Sequence, residues 1–163
     1  MSVLKNKRHL SKLEFFNTAL KLRKDITNLL LMDFGIRDKI RRVKVPDSDK
    51  ELTIIEEYPE WLITHFRQNI MLILRNLLHH ITAANTIYPV NLAEVQARRI
   101  YQTKAIVNCE QLLQELQYCA DIFPVKLTKF LPFVDSIELE IKLLKGWRKS
   151  TNEIEKRIIK NSS

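Results

Sequence analysis

Two neighbouring histidines, two cysteines and several Lys/Arg clusters are the groupings in this chain whose chemistry could reach beyond packing. His79 and His80 are adjacent, so on a helix their side chains point about 100° apart and cannot chelate one ion together. His80 falls at the edge of an apolar stripe, and no H-E-x-x-H spacing accompanies it, so a hydrogen-bonded core histidine is the ordinary reading. Cys109 and Cys119 lie ten residues apart on one helix. That is ~15 Å, too far for a disulfide or a shared metal. Glu138 has Ile141 where the di-iron pattern of helical bundles needs a histidine. There is no G-x-S-x-G elbow, and two glycines in the whole chain leave no phosphate-cradling loop. The chain is therefore expected to be non-enzymatic, with no catalytic residue, no metal and no cofactor.

The basic clusters offer a different chemistry, attraction of polyanions. The formal charge is +8, and residues 1–44 hold 12 Lys/Arg against 4 Asp/Glu while residues 45–163 hold 15 of each. All the excess lies in the first helix and the segment after it. Such a patch favours nucleic acid first, an acidic protein surface second and an anionic membrane third, with plain solubility as the bland alternative. Phosphate binding needs clusters whose summed field survives salt. The first candidates are Arg37, Lys39, Arg41, Arg42 and Lys44. Arg75, with Arg67, follows on a stretch, Trp61 to Ala93, that has no acidic residue. Arg98, Arg99 and Lys104 form a third group, and Arg148 with Lys149 a fourth. By wheel angle Arg98 lines up with an apolar stripe, where an unpaired charge is costly. It must escape at the helix end, meet a carboxylate or serve an interface.

The elements that position these groups are helices. At 163 residues the chain is one domain, 1–163, and apolar residues recur at helical spacing almost throughout. The spacing predicts an all-α chain with helices over about 11–32, 59–84, 92–123 and 129–158, and the architecture expected of it is an antiparallel up-down four-helix bundle. Ser11 with Glu14 is a capping box for the first helix, with Leu10 and Phe15 placed for a hydrophobic staple; Asn91 with Glu94 caps the third. Pro59 suits the first position of helix 2, Thr128 suits a cap for helix 4, and Gly35 suits a C-terminal stop. Helix 1 has two apolar stripes, Leu13, Phe16, Leu20 and Leu31 on one side and Phe15, Ala19, Leu22, Ile26 and Leu29 on the other, so it is expected to be covered twice. Between helices 1 and 2, Ile40 to Val45 and Leu52 to Ile55 are β-branched around turn chemistry at 46–50. They predict a short β-hairpin or an extended excursion, whose basic and acidic arms could simply neutralise each other.

The third helix has an unusual outer face. Ala105, Cys109, Leu112, Leu116, Cys119 and Phe123 make its inner stripe, whereas Ile100, Val107, Gln111, Gln114, Tyr118 and Ile122, with Thr103, cluster opposite and carry no charge. A solvated face normally carries Lys and Glu, so this one is expected to meet another subunit. No signal peptide and no apolar run of membrane-spanning length occurs, which places the chain in a reducing cytoplasm with no membrane partner.

Two stretches resemble a known family. Arg98-Arg99-Ile100-Tyr101, leading into Ala105-Ile106 and Glu110–Leu116, resembles the third helix of accessory variability determinant proteins of diversity-generating retroelements. Leu143 to Ser150, with Gly146-Trp147 at its centre, resembles the end of their fourth helix. These proteins are related in fold to bundle proteins encoded by intervening sequences within 23S ribosomal RNA genes. Segment 36–57 is longer and more strand-like than the family's usual first connection. The resemblance implies a homo-oligomer, a pentamer, with a basic surface that partners a reverse transcriptase. It implies binding of RNA or an RNA-DNA hybrid, supporting mutagenic retrohoming without catalysis. Two alternatives stand beside it: a helical scaffold or adaptor that binds a protein, and an RNA-binding bundle protein of the intervening-sequence type with no reverse transcriptase.

Overall fold

The computed structural model of the chain describes residues 13–36, 39–44, 46, 50–56 and 58–162, with backbone alone at 39–44, 54–56 and 162. Four helices, α1 (Glu14–Leu31), α2 (Glu60–Thr86), α3 (Leu92–Ile122) and α4 (Leu131–Ser162), pack against one another as a helical bundle. Two strands, β1 (Lys39–Lys44) and β2 (Glu51–Glu56), lie between α1 and α2. Each helix turns one 3/4-spaced stripe inward: Phe15, Ala19, Leu22, Ile26 and Leu29 on α1; Phe66, Ile70, Leu74, Leu77 and Ile81 on α2; Ala105, Cys109, Leu112, Leu116 and Cys119 on α3; Ile137, Ile141 and Leu144 on α4. Each large aliphatic or aromatic side chain removed from water contributes about 1.5–3 kcal/mol, and this shared core holds the bundle together. The largest interface is α3 with α2, followed by α3 with α4.

Several local expectations change. The second stripe of α1 is covered in part among the described residues: Leu13 and Phe16 pack against the core, but Leu20 and Leu31 are exposed. Ser11 and Leu10 lie outside the described residues, and Leu13 occupies the cap position of α1 with no side-chain cap bond. Pro59 sits one residue earlier than expected, capping α2 rather than opening it. Thr128 does not cap α4. It belongs to a short 3-10 turn, Leu127–Lys129, and α4 begins at Leu131 with Pro132 tolerated in its first turn. The Asn91 cap does form: Asn91 Oδ1 accepts from the Glu94 N–H at 3.0 Å, while Glu94 Oε2 reaches back to the Val90 N–H at 2.9 Å. Helix α4 continues past 158 to Ser162 and carries Gly146 inside it.

The exit from α1 is a left-handed turn. Asp33, Phe34 and Gly35 have φ of +48°, +58° and +68°. Positive φ is natural for Gly35 but costs about 1–2 kcal/mol for a residue such as Phe34. Burial offsets that cost: Phe34 is fully buried, with its ring 5.6 Å from Phe123 and 6.3 Å from Phe66. Arg67 fastens the same turn, pairing with Asp33 and Glu60 and donating Nε to the Leu30 carbonyl at 3.3 Å. It is a structural arginine rather than a free cation.

Strands β1 and β2 pair antiparallel in the register Lys39↔Glu56, Arg41↔Ile54, Arg42↔Thr53 and Lys44↔Glu51. The outer pairs set Lys39 opposite Glu56 and Lys44 opposite Glu51. Arg41 and Arg42 stand opposite uncharged residues.

Candidate nucleic-acid interface

The first half of α3 and the second half of α4 bring together two sequence stretches about 50 residues apart. Arg98 lies on the stripe that the wheel predicts, and its guanidinium rests 5.2 Å over the Trp147 ring. Trp147 in turn stacks on Phe15, with centroids 4.2 Å apart and planes at 19°. A cation on an indole face, itself backed by a phenyl ring, joins α3, α4 and α1. Burial pushes the Arg98 pKa down from its ordinary value. Among the described residues Arg98 has no carboxylate partner, so its solution to the buried-charge problem is an aromatic face.

One turn along, polar contacts knit the same two helices. Arg99 pairs with Glu155. Gln102 Nε2 donates to Thr151 Oγ1 at 3.0 Å, both side chains being fully buried, and Arg148 Nη1 donates to Thr103 Oγ1 at 3.2 Å. Two clefts flank Arg99. One of about 470 Å³ is lined by Arg99, Arg148, Asn152, Glu155 and Lys156, and one of about 440 Å³ by Gln96, Arg99, Ile100, Thr103 and Lys104. Arg99 Nε and Asn152 Oδ1 are buried there without hydrogen-bond partners. Lys104 reaches over the Tyr101 ring at 5.4 Å. Four cations, Arg99, Lys104, Arg148 and Lys156, stand against two paired carboxylates, Glu155 on Arg99 and Glu153 on Lys156, and leave the groove net positive.

The structure thus gathers Arg98, Arg99, Lys104 and Arg148, with Lys149 exposed beside them on α4. It does not gather the rest. Arg75 is exposed on α2 and lines neither cleft. Lys39, Arg41, Arg42 and Lys44 are on β1, where only the backbone is described, and Arg37 lies outside the described residues. The β1–β2 pair follows the Phe34 turn, which packs at Phe123, the far end of α3 from Arg99. At ~1.5 Å per residue that separation is about 35 Å. Among the described side chains, the basic candidates that come together are those of the α3–α4 groove.

The outer face of α3 is open as expected. Ile100, Val107, Gln111, Gln114, Tyr118 and Ile122 are all exposed, Ile100 and Tyr118 by more than half. Near its C-terminal end lies a largely apolar groove of about 650 Å³, lined in part by Leu113, Tyr118, Leu127, Leu131 and Val134.

Some functional-looking groups escaped the sequence. Glu140 is fully buried with neither carboxylate oxygen partnered, and burial raises its pKa to about 8. The signal was available: Glu140 sits three residues after Ile137 and four before Leu144, on the inner stripe. Glu155 carried no such signal, because its partner Arg99 comes from another helix. His80 meets Asn108 Oδ1 at 2.7 Å through Nδ1, and Asn108 donates to Gln111 at 3.0 Å, an ordinary satisfied core histidine. Cys109 and Cys119 are free and buried, and burial drives both thiol pKa values up, Cys119 to about 12. Among the described residues no three His, Cys, Asp or Glu stand close enough to hold a metal ion, and no helix is long and apolar enough to cross a membrane.

No protein-family model, curated protein or solved structure matches the chain.

Proposed function

We propose that this chain is a non-catalytic, cytoplasmic nucleic-acid-binding subunit that forms a homo-oligomer, a pentamer. It would serve as accessory partner to the reverse transcriptase of a diversity-generating retroelement and bind its RNA or RNA-DNA hybrid during mutagenic retrohoming. The observation that carries this reading is the contact between the two stretches on which the family resemblance rests. Arg98 lies on Trp147, Arg148 bonds Thr103, and a basic groove opens beside them. An up-and-down course of the helices is supported by paired contacts. Thr27–Met71 with Leu30–Arg67, Phe66–Tyr118 with His80–Asn108, and Arg99–Glu155 with Gln102–Thr151 each match rising numbers on one helix to falling numbers on the next.

Fluorescence anisotropy with a single-stranded RNA across a salt series tests the binding reading. Each lost phosphate contact should lower the log–log salt slope by about 0.7. Arg99→Glu with Arg148→Glu is expected to weaken binding and flatten the slope; unchanged binding would sink the assignment. Arg98 is left alone, because its place on Trp147 is structural. The exposed face of α3 supports self-association, and light scattering on a sizing column should give a mass above one chain at micromolar concentration. A strict monomer counts against the ring.

A helical adaptor that binds a protein is favoured by one observation, the apolar groove beside Tyr118. Neighbouring genes separate the readings: a reverse transcriptase gene with a pair of near-identical repeats supports the first, and their absence supports an adaptor or an intervening-sequence-type protein.

A further inference from the structure

A carboxylate inside a phosphate-attracting groove weakens the attraction unless it does something else there. Glu155 is such a carboxylate, among Arg99, Arg148 and Lys156. It does not pair with Lys156, whose ammonium goes to Glu153 at 2.9 Å; Glu155 is given to Arg99. Both side chains of that pair are largely withdrawn from solvent, at 32% and 25% exposure. Among the described residues Glu155 is the guanidinium's one polar partner, since Nε is buried with none. Without it, a long side chain on the rim of the groove regains its rotamers. With it, the fork is held where both clefts meet, because Arg99 lines each of them. Arg148 joins the clefts a second time, lining one and donating to Thr103 of the other.

We propose that Glu155 is a positioning residue that clamps Arg99, so that the α3–α4 groove holds consecutive phosphates of one nucleic-acid strand. This rests on the nucleic-acid reading above and assigns its track. One phosphate sits in the cleft of Arg99, Arg148 and Lys156, the next in the cleft of Arg99, Thr103 and Lys104. A strand fits better than a free anion because two clefts share one guanidinium, whose remaining N–H groups serve successive phosphates on a continuous backbone. Fixing the fork in advance removes part of the ordering cost that binding otherwise carries.

The test turns on a sign. Glu155→Gln adds one positive charge, so a merely neutralising Glu155 predicts tighter RNA binding, whereas a clamp predicts weaker binding. In anisotropy titrations of the full chain with labelled oligouridine, Glu155→Gln is expected to weaken binding about threefold to tenfold. Glu155→Asp should recover most of the loss. Arg148→Ala should lower the salt slope by about 0.7. Thr103→Val, which removes the acceptor for Arg148 at the surface, should also weaken binding and serves if Glu155→Gln fails to fold by circular dichroism. Inorganic pyrophosphate should compete no better than chloride at equal ionic strength. Tighter or unchanged binding by Glu155→Gln overturns the clamp, as does unchanged binding by Thr103→Val when that variant stands in. Specific displacement by pyrophosphate overturns the strand in favour of a free phosphate. An unchanged slope in Arg148→Ala overturns the groove while leaving nucleic-acid binding elsewhere on the chain intact. Failure of the unaltered chain to bind any RNA overturns the functional reading itself and the inference with it.

Discussion

The two ends of α3 are built from different materials. Around Arg99 the contacts between helices are polar: an ion pair to Glu155, an amide to Thr151, a guanidinium to Thr103 and a cation over Trp147. Around Phe123 they are aromatic, with Phe34, Phe66 and Tyr58 all within 6 Å of its ring centroid. The surfaces follow the interiors. Cations line the first end, while Leu31, Met32, Trp61, Leu127 and Leu131 stand exposed about the second. One helix with one set of neighbours thus carries two kinds of contact. Aromatic burial dominates one end, while the other adds an ion pair and hydrogen bonds to its packing.

The sharpest way to break this comparison is to compare stability at the two ends. Phe34→Ala removes a fully buried ring from the aromatic end and should cost about 3–5 kcal/mol in urea unfolding, whereas Arg99→Ala, at a side chain 32% exposed, should cost under about 1 kcal/mol. Equal losses would dissolve the distinction.

Between the ends lies Glu140, whose pKa rises from an ordinary 4.5 to about 8 through burial. In the folded chain it keeps a proton that the unfolded chain has already lost. The contribution of Glu140 to stability is therefore fully present below about pH 4.5 and is lost as pH rises to about 8, where the loss levels off. At pH 7 the penalty is on the order of 3 kcal/mol. Glu140→Gln should remove this slope from a series of thermal melts between pH 5 and 8, and persistence of the slope would show that another group titrates.

Salt sharpens the contrast further. Arg99→Ala with Arg148→Ala should reduce the salt slope of RNA binding by about 1.4, and Trp61→Ala at the aromatic end should leave it unchanged. The smallest expected effect concerns the frame alone. Gly146 lies inside α4 with open space where a Cβ would project, so Gly146→Ala should raise stability by about 0.5–1 kcal/mol, read from the unfolding midpoint.

Much of the frame could be read before the structure, because periodicity is local. The inner stripes of α1 to α4, the Asn91 cap and the exposed row from Ile100 to Ile122 follow from spacing alone. So does the awkward position of Arg98, although its partner Trp147 does not. What spacing cannot supply is which helix lies opposite. Glu155 looks like one more surface acid until α3 delivers Arg99 to it. Thr128 has cap chemistry, but Lys126 to Phe130 tighten into a 3-10 turn that moves the helix start to Leu131. The second stripe of α1 shows the converse error. Leu20 and Leu31 demand cover by hydrophobicity, yet among the described residues both stay exposed, because Leu13 and Phe16 are the members of that stripe that reach the core. The charge count speaks to a different part of the chain: it concentrates the excess in the first 44 residues, whereas the groove between α3 and α4 draws on the electrically balanced remainder.

The Phe34 turn has a consequence for how the chain tolerates change. The β1–β2 excursion leaves the bundle just after Phe34 and returns just before Tyr58, and both rings rest on Phe123. Its two stems are thus moored to one spot, and closing the loop between them adds little entropy whatever its length, because each doubling costs only about 0.6 kcal/mol. Replacing residues 37–57 with a glycine-serine bridge is therefore expected to leave the helical circular-dichroism signal and the unfolding midpoint of the four helices nearly unchanged.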